Sequence, residues 1–327
     1  MRIRCAGGIV LAGGLLFLGL DPPLTAQPRF DTLAVAGGAF EDNPLFLYRQ
    51  AVHVHLLDPT TVVFADNAGG RIVAVDLVTG EGWEVEDRGG AGPGEFGGAL
   101  PWVAVADGRI HTLTITGHHA VRDSKGAILE EGRFEGPELG GLNEPQGFLR
   151  PDVLVTRSRE DVDFSREGIQ ETRRWIAAHH RDGRELWRFD DLPPQRMSIH
   201  HNDDGTGSGS SLDPGLLVRA RDETVVLGLA PGRELRVLGA DGEERGRIEL
   251  PEKLWDLRID AEERIWATVW SYERSDPSRE VVYDRDLRQL FTEPSMNVVD
   301  AQGTRRVVVD LDEVHGMRLV LLERRER

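Results

Sequence analysis

The chain has 327 residues and a formal net charge of −17 at pH 7, with 56 acidic residues against 39 basic ones. A surface this acidic repels phosphate backbones, which argues against nucleic acid as a partner. Cys5 is the only cysteine and lies in a segment that we expect to be removed. The mature chain then has no thiol for a disulfide, a nucleophile or a zinc ligand.

The first 26 residues have the pattern of an export signal. Arg2 and Arg4 supply a basic start, and residues 5–20 form a run of apolar residues and glycine that ends before Asp21. A run of about sixteen suits a signal-peptide core better than a bilayer span of about twenty. We expect residues 1–26 to be a signal peptide and residues 27–327 to be one mature domain, periplasmic or extracellular, with no membrane span. An uncleaved membrane anchor is the alternative.

Short β-branched segments, each preceded by a turn of Asp, Gly or Pro, recur along the rest of the chain and are typical of an all-β domain. The six strongest predicted strands cover residues 61–65, 109–115, 153–156, 224–229, 264–270 and 304–310. Their turns are roughly 40 to 50 residues apart, with one spacing of about 70, and such periods are typical of propeller blades.

Each repeat has room for four strands, because a second hairpin follows several of these segments at a comparable offset. Unbroken apolar runs such as Val62-Val63-Phe64 indicate strands buried on both faces, so the blades must stack around an axis. We predict a six-bladed β-propeller with four-stranded antiparallel blades, closed by an N-terminal strand over residues 30–35. The long spacing leaves seven blades as the alternative, but its excess residues, 158–172 and 192–214, are polar and favour insertions.

One part of the chain resembles a known repeat. It runs through Gly92-Pro93-Gly94-Glu95-Phe96, a strand from residue 101, the turn Asp107-Gly108 and a hairpin at 123–126. This order resembles an NHL-type repeat, and its glycine-rich form is similar to that of a group of exported bacterial six-bladed propellers. Residues 58–80 match the same template. The resemblance implies an architecture and identifies no active site.

The glycine-rich turn is expected to form a blade junction. Gly92 and Gly94 allow backbone angles closed to other residues, and Pro93 fixes one dihedral. Phe96 then plugs the junction, while Glu95 is either structural or a binding carboxylate at the adjoining face.

Strand order predicts where the long loops emerge. In a four-stranded antiparallel blade, the loop from the second to the third strand and the loop from the fourth strand to the next blade leave on the same side. Both insertions belong to these classes, as do the loops at 89–100 and 271–279. We expect one face to carry all the long loops and the binding site, because loops on a rigid scaffold usually carry function.

Two pairs of histidines are candidate ligand-binding residues. His53 and His55 lie two residues apart on the first strand of blade one, so they share a face that could line the channel; interblade packing is the alternative. His200 and His201 open a loop rich in glycine and serine that ends at Asp213. Its donors could suit a metal, and a solvated flexible loop is the alternative.

Two tryptophans complete the set of candidates. Trp102 and Trp255 are expected to begin inner strands near the long-loop face, where an aromatic platform could stack a sugar or a peptide side chain; sealing of the blades is the alternative. The histidine pairs at 118–119 and 179–180 are expected near hairpin ends and exposed.

No hydrolase, phosphate-binding or dinucleotide motif stands in a suitable setting, so we assign no catalytic residue and no metal ligand. The expected function is that of an exported, non-catalytic and monomeric propeller that binds a peptide, glycan or protein partner through its long-loop face, without a cofactor. The resemblance implies an alternative, a propeller enzyme of lactonase, esterase or lyase type with calcium or another divalent cation in the channel. A structural component of the cell envelope is a third alternative.

Overall fold

The computed structural model describes residues 29–37, 45, 51–66, 70–86, 102–139, 142–201, 207–213, 215–270, 278–312 and 316–325. Apart from Leu45, which is in a 3-10 turn, every regular element in these ranges is a β-strand. The first nine strands are β1 Phe30–Ala36, β2 Ala51–Leu56, β3 Thr61–Asp66, β4 Arg71–Asp76, β5 Gly82–Glu86, β6 Trp102–Ala106, β7 Arg109–Leu113, β8 His118–Arg122 and β9 Ile128–Arg133. The next nine are β10 Asn143–Arg150, β11 Val153–Arg159, β12 Gly168–Thr172, β13 Arg174–His180, β14 Glu185–Phe189, β15 Gln195–His201, β16 Gly207–Ser211, β17 Gly215–Arg221 and β18 Thr224–Ala230. The last nine are β19 Glu234–Gly239, β20 Glu244–Glu249, β21 Lys253–Ile259, β22 Ile265–Trp270, β23 Arg279–Tyr283, β24 Gln289–Pro294, β25 Val298–Gln302, β26 Arg305–Asp312 and β27 Gly316–Arg324.

These strands form six four-stranded sheets and one three-stranded sheet, all antiparallel. In chain order, the four-stranded sheets are β2-β3-β4-β5, β6-β7-β8-β9, β10-β11-β13-β14, β17-β18-β19-β20, β21-β22-β23-β24 and β25-β26-β27-β1. The three-stranded sheet has the order β12-β15-β16 and is called the insertion sheet below. The all-β prediction with four-stranded antiparallel sheets is confirmed.

The six segments predicted as the strongest strands are the second strands of the six four-stranded sheets. Their side chains are buried on both faces of the sheet, as the unbroken apolar runs indicated. In β3, for example, Val62, Val63 and Phe64 are all fully buried although successive side chains point to opposite faces. Each of these sheets is therefore covered on both sides by other parts of the chain.

The last four-stranded sheet joins the two ends of the described chain. Strand β1 pairs antiparallel with β27, which places Phe30 opposite Arg324. Beyond the paired residues, the Arg325 guanidinium donates to the Asp31 carboxylate. The strand predicted over residues 30–35 is thus the outer strand of this sheet.

The excess residues in the third repeat pair with one another. In the sequence, strand β12 comes between β11 and β13, and it pairs with β15, which comes after β14. Because they pair, the two insertions leave the β10 sheet on the same side. The prediction of polar loops is wrong here: pairing satisfies their backbone groups, and Val162, Met197 and Ile199 form a small core beneath the sheet. The predicted long loop at 89–100 and residues 271–277 of the other predicted long loop lie outside the described residues.

Five hairpins between third and fourth strands contain an aspartate. Asp76, Asp123 and Asp284 begin the turn, whereas Asp182 and Asp241 lie two residues into it. In each hairpin the carboxylate accepts a hydrogen bond from the backbone N–H two residues later, which fixes the turn. The sixth four-stranded sheet has no such hairpin because its third and fourth strands, β27 and β1, come from opposite ends of the chain.

Tryptophans on two outer strands contact the hairpin of the next four-stranded sheet. Trp187 of β14 donates its indole N–H to the carbonyl of Ala240 at 2.7 Å, and its ring lies over Gly242. Trp83 of β5 lies over Gly126 in the same way. Gly242 has a φ of +79°, and a Cβ there would lie 2.5 Å from the indole. Glycine is therefore required both by the backbone angle and by the packed ring.

We expect Gly242→Ala to lower the free energy of unfolding by about 2 to 4 kcal/mol. A non-glycine residue at this backbone angle costs about 1 to 2 kcal/mol, and displacing the packed indole of Trp187 adds about 1 to 2 kcal/mol. Gly108→Ala is the matched control, since Gly108 has a φ of +65° and a Cβ there would meet no heavy atom within 4 Å beyond its chain neighbours. Urea unfolding followed by circular dichroism measures both losses. Equal losses would show that the indole contact contributes nothing.

Candidate functional site

The first strands of the six four-stranded sheets contact one another in cyclic order, β2 to β6, β10, β17, β21, β25 and back to β2. A cavity of about 450 Å³ lies among them and is called the channel cavity below. Its wall includes a residue from each first strand, namely His55, Trp102, Gln146, Ala220, Leu257 and Val299. Six separate strands therefore meet around one space.

Both histidines of β2 line the channel cavity. A bulge between Val52 and His55 interrupts the pairing with β3, and His53 within it has a φ of +51°. A left-handed backbone is uncommon for a non-glycine residue and is often found where a side chain has to be directed into a functional site. The His53 ring faces the edge of the Trp102 ring at 6.1 Å between centroids. The prediction that His53 and His55 share a face agrees with this placement.

The two imidazoles are neutral at pH 7. Enclosure by protein and the Arg219 cation lower the pKa of His53 to about 4, although its ring reaches the solvent of the cavity. Burial and the Arg221 cation lower the pKa of His55 to about 3. The Nε2 atom of His55 lies 3.2 Å from the carbonyl oxygen of Val103, to which the neutral ring donates. These rings can therefore donate or accept a hydrogen bond but carry no charge.

Asp300 lies behind His55 and connects the sheet of β25 to the sheet of β2. Its carboxylate accepts hydrogen bonds from the backbone N–H of Leu56 at 2.8 Å and of Ala301 at 2.8 Å, and from Arg221 at 3.4 Å. Burial raises the pKa of Asp300, against the opposing effect of the Arg221 cation. The His55 Nδ1 atom is 3.9 Å from this carboxylate, but His55 is neutral and makes no ion pair with it.

The two candidate tryptophans lie in different surroundings. Trp102 begins β6, lines the channel cavity and packs against Phe148 at 5.5 Å between ring centroids. Trp255 lies on β21, is 61% exposed and faces Trp270 edge-on at 6.0 Å. Trp255 is outside the described lining of the channel cavity, so the two rings do not form one platform.

His200 and His201 lie on the insertion sheet and not in a loop. Both belong to β15, which pairs with β16 across the glycine and serine residues that were expected to be unstructured. The Nε2 atom of His200 is 2.9 Å from the Ser198 hydroxyl, and that of His201 is 3.0 Å from the carbonyl oxygen of Phe164. These contacts are local to the insertion sheet, and the structure does not bring the pair to His53 and His55. The glycine-rich turn at 92–96 lies outside the described residues.

Four arginines of the channel wall have no counterpart among the sequence predictions. They are Arg157 of β11, Arg219 and Arg221 of β17, and Arg258 of β21. One signal was available, because Arg219 and Arg221 are two residues apart on a first strand and therefore share a face. The other two arginines depend on which face of their strands is turned to the cavity, and that depends on long-range packing.

Two further cavities continue from the channel cavity toward the insertion sheet. The nearer one, of about 270 Å³, shares Glu144 and Arg157 with the channel cavity. The farther one, of about 610 Å³, shares Arg174 with the nearer one, and its wall includes Trp175 under the Arg188 guanidinium. The channel cavity is therefore connected, by shared lining residues, to the side that carries both insertions.

A divalent cation needs a set of converging oxygen or nitrogen ligands. Among the residues that the structure describes, no three His, Asp or Glu side chains converge closely enough to hold a metal ion. The imidazoles of His53 and His55 instead face the guanidinium groups of Arg219 and Arg221, whose positive charge opposes a bound cation.

The sequence prediction missed a buried pair of histidines. It expected the histidines at 118–119 to be exposed. His111 and His119 are both fully buried, with Nδ1 of His111 at 3.1 Å from Nε2 of His119. Their rings pack against Phe134 and Phe148. The other ring nitrogen of each has no hydrogen-bond partner among the described residues. His179 is buried as well, because alternate residues at a strand end face opposite sides and one side is the interior.

The fold described above resembles those of solved β-propeller-type proteins. A candidate exported protein from Bacteroides fragilis gives a TM-score of 0.54 at 10% sequence identity, over 91% of this chain and 96% of that chain. A member of the DUF4221 family from Bacteroides vulgatus gives 0.52 at 11% identity, over 91% and 98%. No family model matches the chain, and no curated protein matches its sequence. At such identities the likeness shows a β-propeller fold and no more.

In the part of the chain that the structure describes, no segment forms a helix long and apolar enough to span a bilayer.

We expect acid to destabilise the fold through the buried histidine pair. Burial lowers the pKa of His111 to about 4 and that of His119 to about 3, whereas the unfolded chain takes up protons near pH 6.5. Stability is therefore fully present above about pH 6.5 and is lost as the pH falls toward 4. From pH 7.5 to pH 5, each histidine accounts for a loss of about 2 kcal/mol.

The variant His119→Phe keeps an aromatic ring against Phe134 and Phe148 but cannot be protonated. Its free energy of unfolding should therefore fall by about 2 kcal/mol less than that of the wild type between about pH 7.5 and pH 5. His200→Phe, on the exposed insertion sheet, is the matched control and should show the full loss. Chemical unfolding at the two pH values measures all three proteins. An acid-induced loss in His119→Phe as large as in the wild type would contradict the assignment.

Proposed function

We propose that this protein is an exported, non-catalytic six-bladed β-propeller that binds a ligand at the insertion-sheet end of its central channel. The observation that carries the proposal is the channel cavity itself. Residues from all six first strands surround one space of about 450 Å³, which is within the usual range for small-molecule sites. An aromatic ring and polar groups face that space together, as in most ligand sites.

The six-bladed arrangement is supported by three observations. The first strands of the four-stranded sheets contact one another in cyclic order, including β25 with β2. The β1 strand completes the last four-stranded sheet, which then has the same strand count as the other five. The seventh sheet is composed of the two insertions within and after the third blade, so it adds no blade.

Repeated turn chemistry supports an NHL-like repeat as the building unit. In five of the sheets an aspartate of the third hairpin accepts a hydrogen bond from the backbone N–H two residues later, and in three of them this aspartate begins the turn. In the fifth sheet, Leu287 has a φ of +61° at the position where Gly126 and Gly242 stand in their hairpins. This departure shows how far single copies of the unit can diverge while the turn is kept.

Export is proposed from the N-terminal sequence. Residues 1–26 combine a basic start with an apolar run of signal-peptide length. The mature protein would then be periplasmic or extracellular. A likeness in fold to a candidate exported protein is in keeping with this proposal.

A binding role is favoured over an enzymatic one by the chemistry of the cavity wall. The lowered pKa values of its histidines make them weak bases, and its arginines are poor general acids and bases because they stay protonated. A propeller enzyme with a divalent cation in the channel would need a ligand set beyond the described residues. The ligand classes we propose are a glycan, a peptide or a segment of a protein, each of which offers a ring or side chain that can stack on Trp102.

Substitution of Trp102 tests the location of the site. The exported protein is screened on glycan and peptide arrays, and the affinity of each ligand that binds is measured by calorimetry. Trp102→Ala should weaken that affinity at least tenfold, because stacking on the ring is lost. Trp255→Ala is the matched control, since this exposed ring is outside the channel cavity, and it should leave the affinity within about twofold.

The same measurement can contradict the proposal. Ligands whose affinity follows Trp255 and not Trp102 would move the site from the channel to the outer surface, provided that both variants keep the wild-type unfolding midpoint. An array without any ligand whose binding depends on Trp102 would remove the proposed site.

Metal analysis tests the enzymatic alternative separately. We expect the purified protein to carry less than about 0.1 equivalent of calcium, zinc or other divalent metal, because the arginines of the channel oppose cation binding. Elemental analysis after extensive dialysis measures this content. A stoichiometric ion that is lost in His53→Ala would support the enzyme and contradict the binding module.

A further inference from the structure

The channel cavity has the opposite charge balance to the chain as a whole. The chain has a net charge of −17, yet the cavity wall has four arginines and only two carboxylates, which are Arg157, Arg219, Arg221, Arg258, Glu144 and Asp256. A concave site lined by one sign of charge, within a low-dielectric wall, concentrates ligands of the opposite sign.

Each of the four arginines also has a carboxylate partner: Arg157 contacts Glu144, and Arg219 lies 3.3 Å from Asp256. Arg221 lies 3.4 Å from Asp300, and Arg258 contacts Glu280. The side chains of Asp300 and Glu280 are buried behind the wall, with 2% and 1% exposed. The surface of the cavity therefore presents more guanidinium groups than carboxylates.

Arg219 is the arginine best placed to bind a ligand. Its side chain is 40% exposed, and this exposure is to the solvent of the cavity. Its guanidinium donates to the backbone carbonyl of Val218 at 2.8 Å and to one oxygen of Asp256 at 3.3 Å. A guanidinium has five N–H donors, so three have no acceptor among the described residues.

The groups around Arg219 repel one another. Enclosure by protein lowers the pKa of Arg219, and the Arg157 and Arg258 cations lower it further, against the opposing effect of Asp256. The Arg219 cation in turn lowers the pKa of His53. An anion in the shared space is attracted to each of these cations, which offsets their mutual repulsion and favours binding.

We infer that the channel cavity binds a small ligand through a carboxylate held by the Arg219 guanidinium, with the body of the ligand against Trp102. This inference rests on the proposed function and specifies the chemical class of its ligand. The planar fork of an arginine matches a carboxylate with two parallel hydrogen bonds. Trp102 lines the same cavity and offers a flat apolar surface beside the charge.

Asp256 already makes the contact with Arg219 that we expect the carboxylate of the ligand to make. Its carboxylate already contacts Arg219, is 46% exposed and also lines the cavity. An incoming carboxylate therefore competes with this side chain for the same guanidinium. Removing the negative charge of Asp256 frees Arg219 for the ligand, so the inference predicts a gain of affinity from one substitution and a loss from its neighbour.

The test uses two matched pairs of probes that differ in one functional group. Glucuronate is compared with glucose, and benzoate is compared with benzyl alcohol, by calorimetry with the exported protein. At least one carboxylate should bind at least tenfold more tightly than its neutral counterpart. Inorganic phosphate is the third anion, and it should bind more weakly than that carboxylate because it offers no body for Trp102.

Four variants assign the effect to residues. Arg219→Gln should weaken binding of the carboxylate at least tenfold, and Arg219→Lys should recover part of that loss, because it keeps the charge without the fork. Asp256→Asn should tighten binding about threefold or more. Arg184→Gln is the matched control, since this exposed arginine belongs to the β13–β14 hairpin, and it should change nothing.

Three outcomes would overturn the inference. The first is equal affinity for the charged and the neutral probes in both the wild type and Asp256→Asn. The second is equal affinity of the wild type and Arg219→Gln for the carboxylate. The third is that phosphate binds more tightly than both carboxylates. A neutral glycan or peptide whose binding depends on Trp102 but not on Arg219 would overturn the carboxylate while the proposed function stands. Loss of every Trp102-dependent ligand would instead remove the proposed function itself.

Discussion

A sheet of four strands with apolar residues on both faces is stable only if another sheet covers each face. Val62, Val63 and Phe64 of β3 illustrate this requirement, since all three are fully buried while pointing to alternate sides. The same holds for β18 and for the second strands of the other four-stranded sheets. A row of such sheets would leave two uncovered faces at its ends, and the proposed ring, in which β25 contacts β2, would cover both. The cavity among the first strands is a geometric result of that packing.

The same packing explains why the cavity has unusual electrostatics. Its wall combines charged and apolar side chains, and Arg219 and the histidines of β2 have lost part of their hydration there. Asp300, buried between β25 and β2, is satisfied by two backbone N–H groups as well as by Arg221. The histidines of β2 lose their charge under the same conditions. The interaction that holds neighbouring sheets together and the properties of the site therefore have one physical origin.

Local chemistry made the strands predictable, and long-range pairing made the site hard to predict. The turns at Asp107-Gly108 and at Asp123 follow from residues two to four apart, so the strands they separate could be placed from sequence within one or two residues. The insertion sheet could not, because β12 and β15 are paired across an intervening hairpin. Nor could the arginines at 157 and 258, since a shift of one residue in register would turn them away from the cavity. Only the spacing of Arg219 and Arg221 was a usable local signal.

The pairing of β1 with β27 fixes the side from which the N-terminal residues reach the fold. Strand β1 starts opposite Arg324, the last residue of β27, and β27 itself starts at the connection from the second strand of its sheet. In the proposed ring that connection lies on the same side as the insertion sheet, so Phe30 and Arg324 both lie on the opposite side. Residues 1–28, if retained as a tether to a bilayer, would hold the molecule with Trp102 and Arg219 turned outward. A fusion partner at either chain end would likewise leave the mouth of the channel open to its ligand.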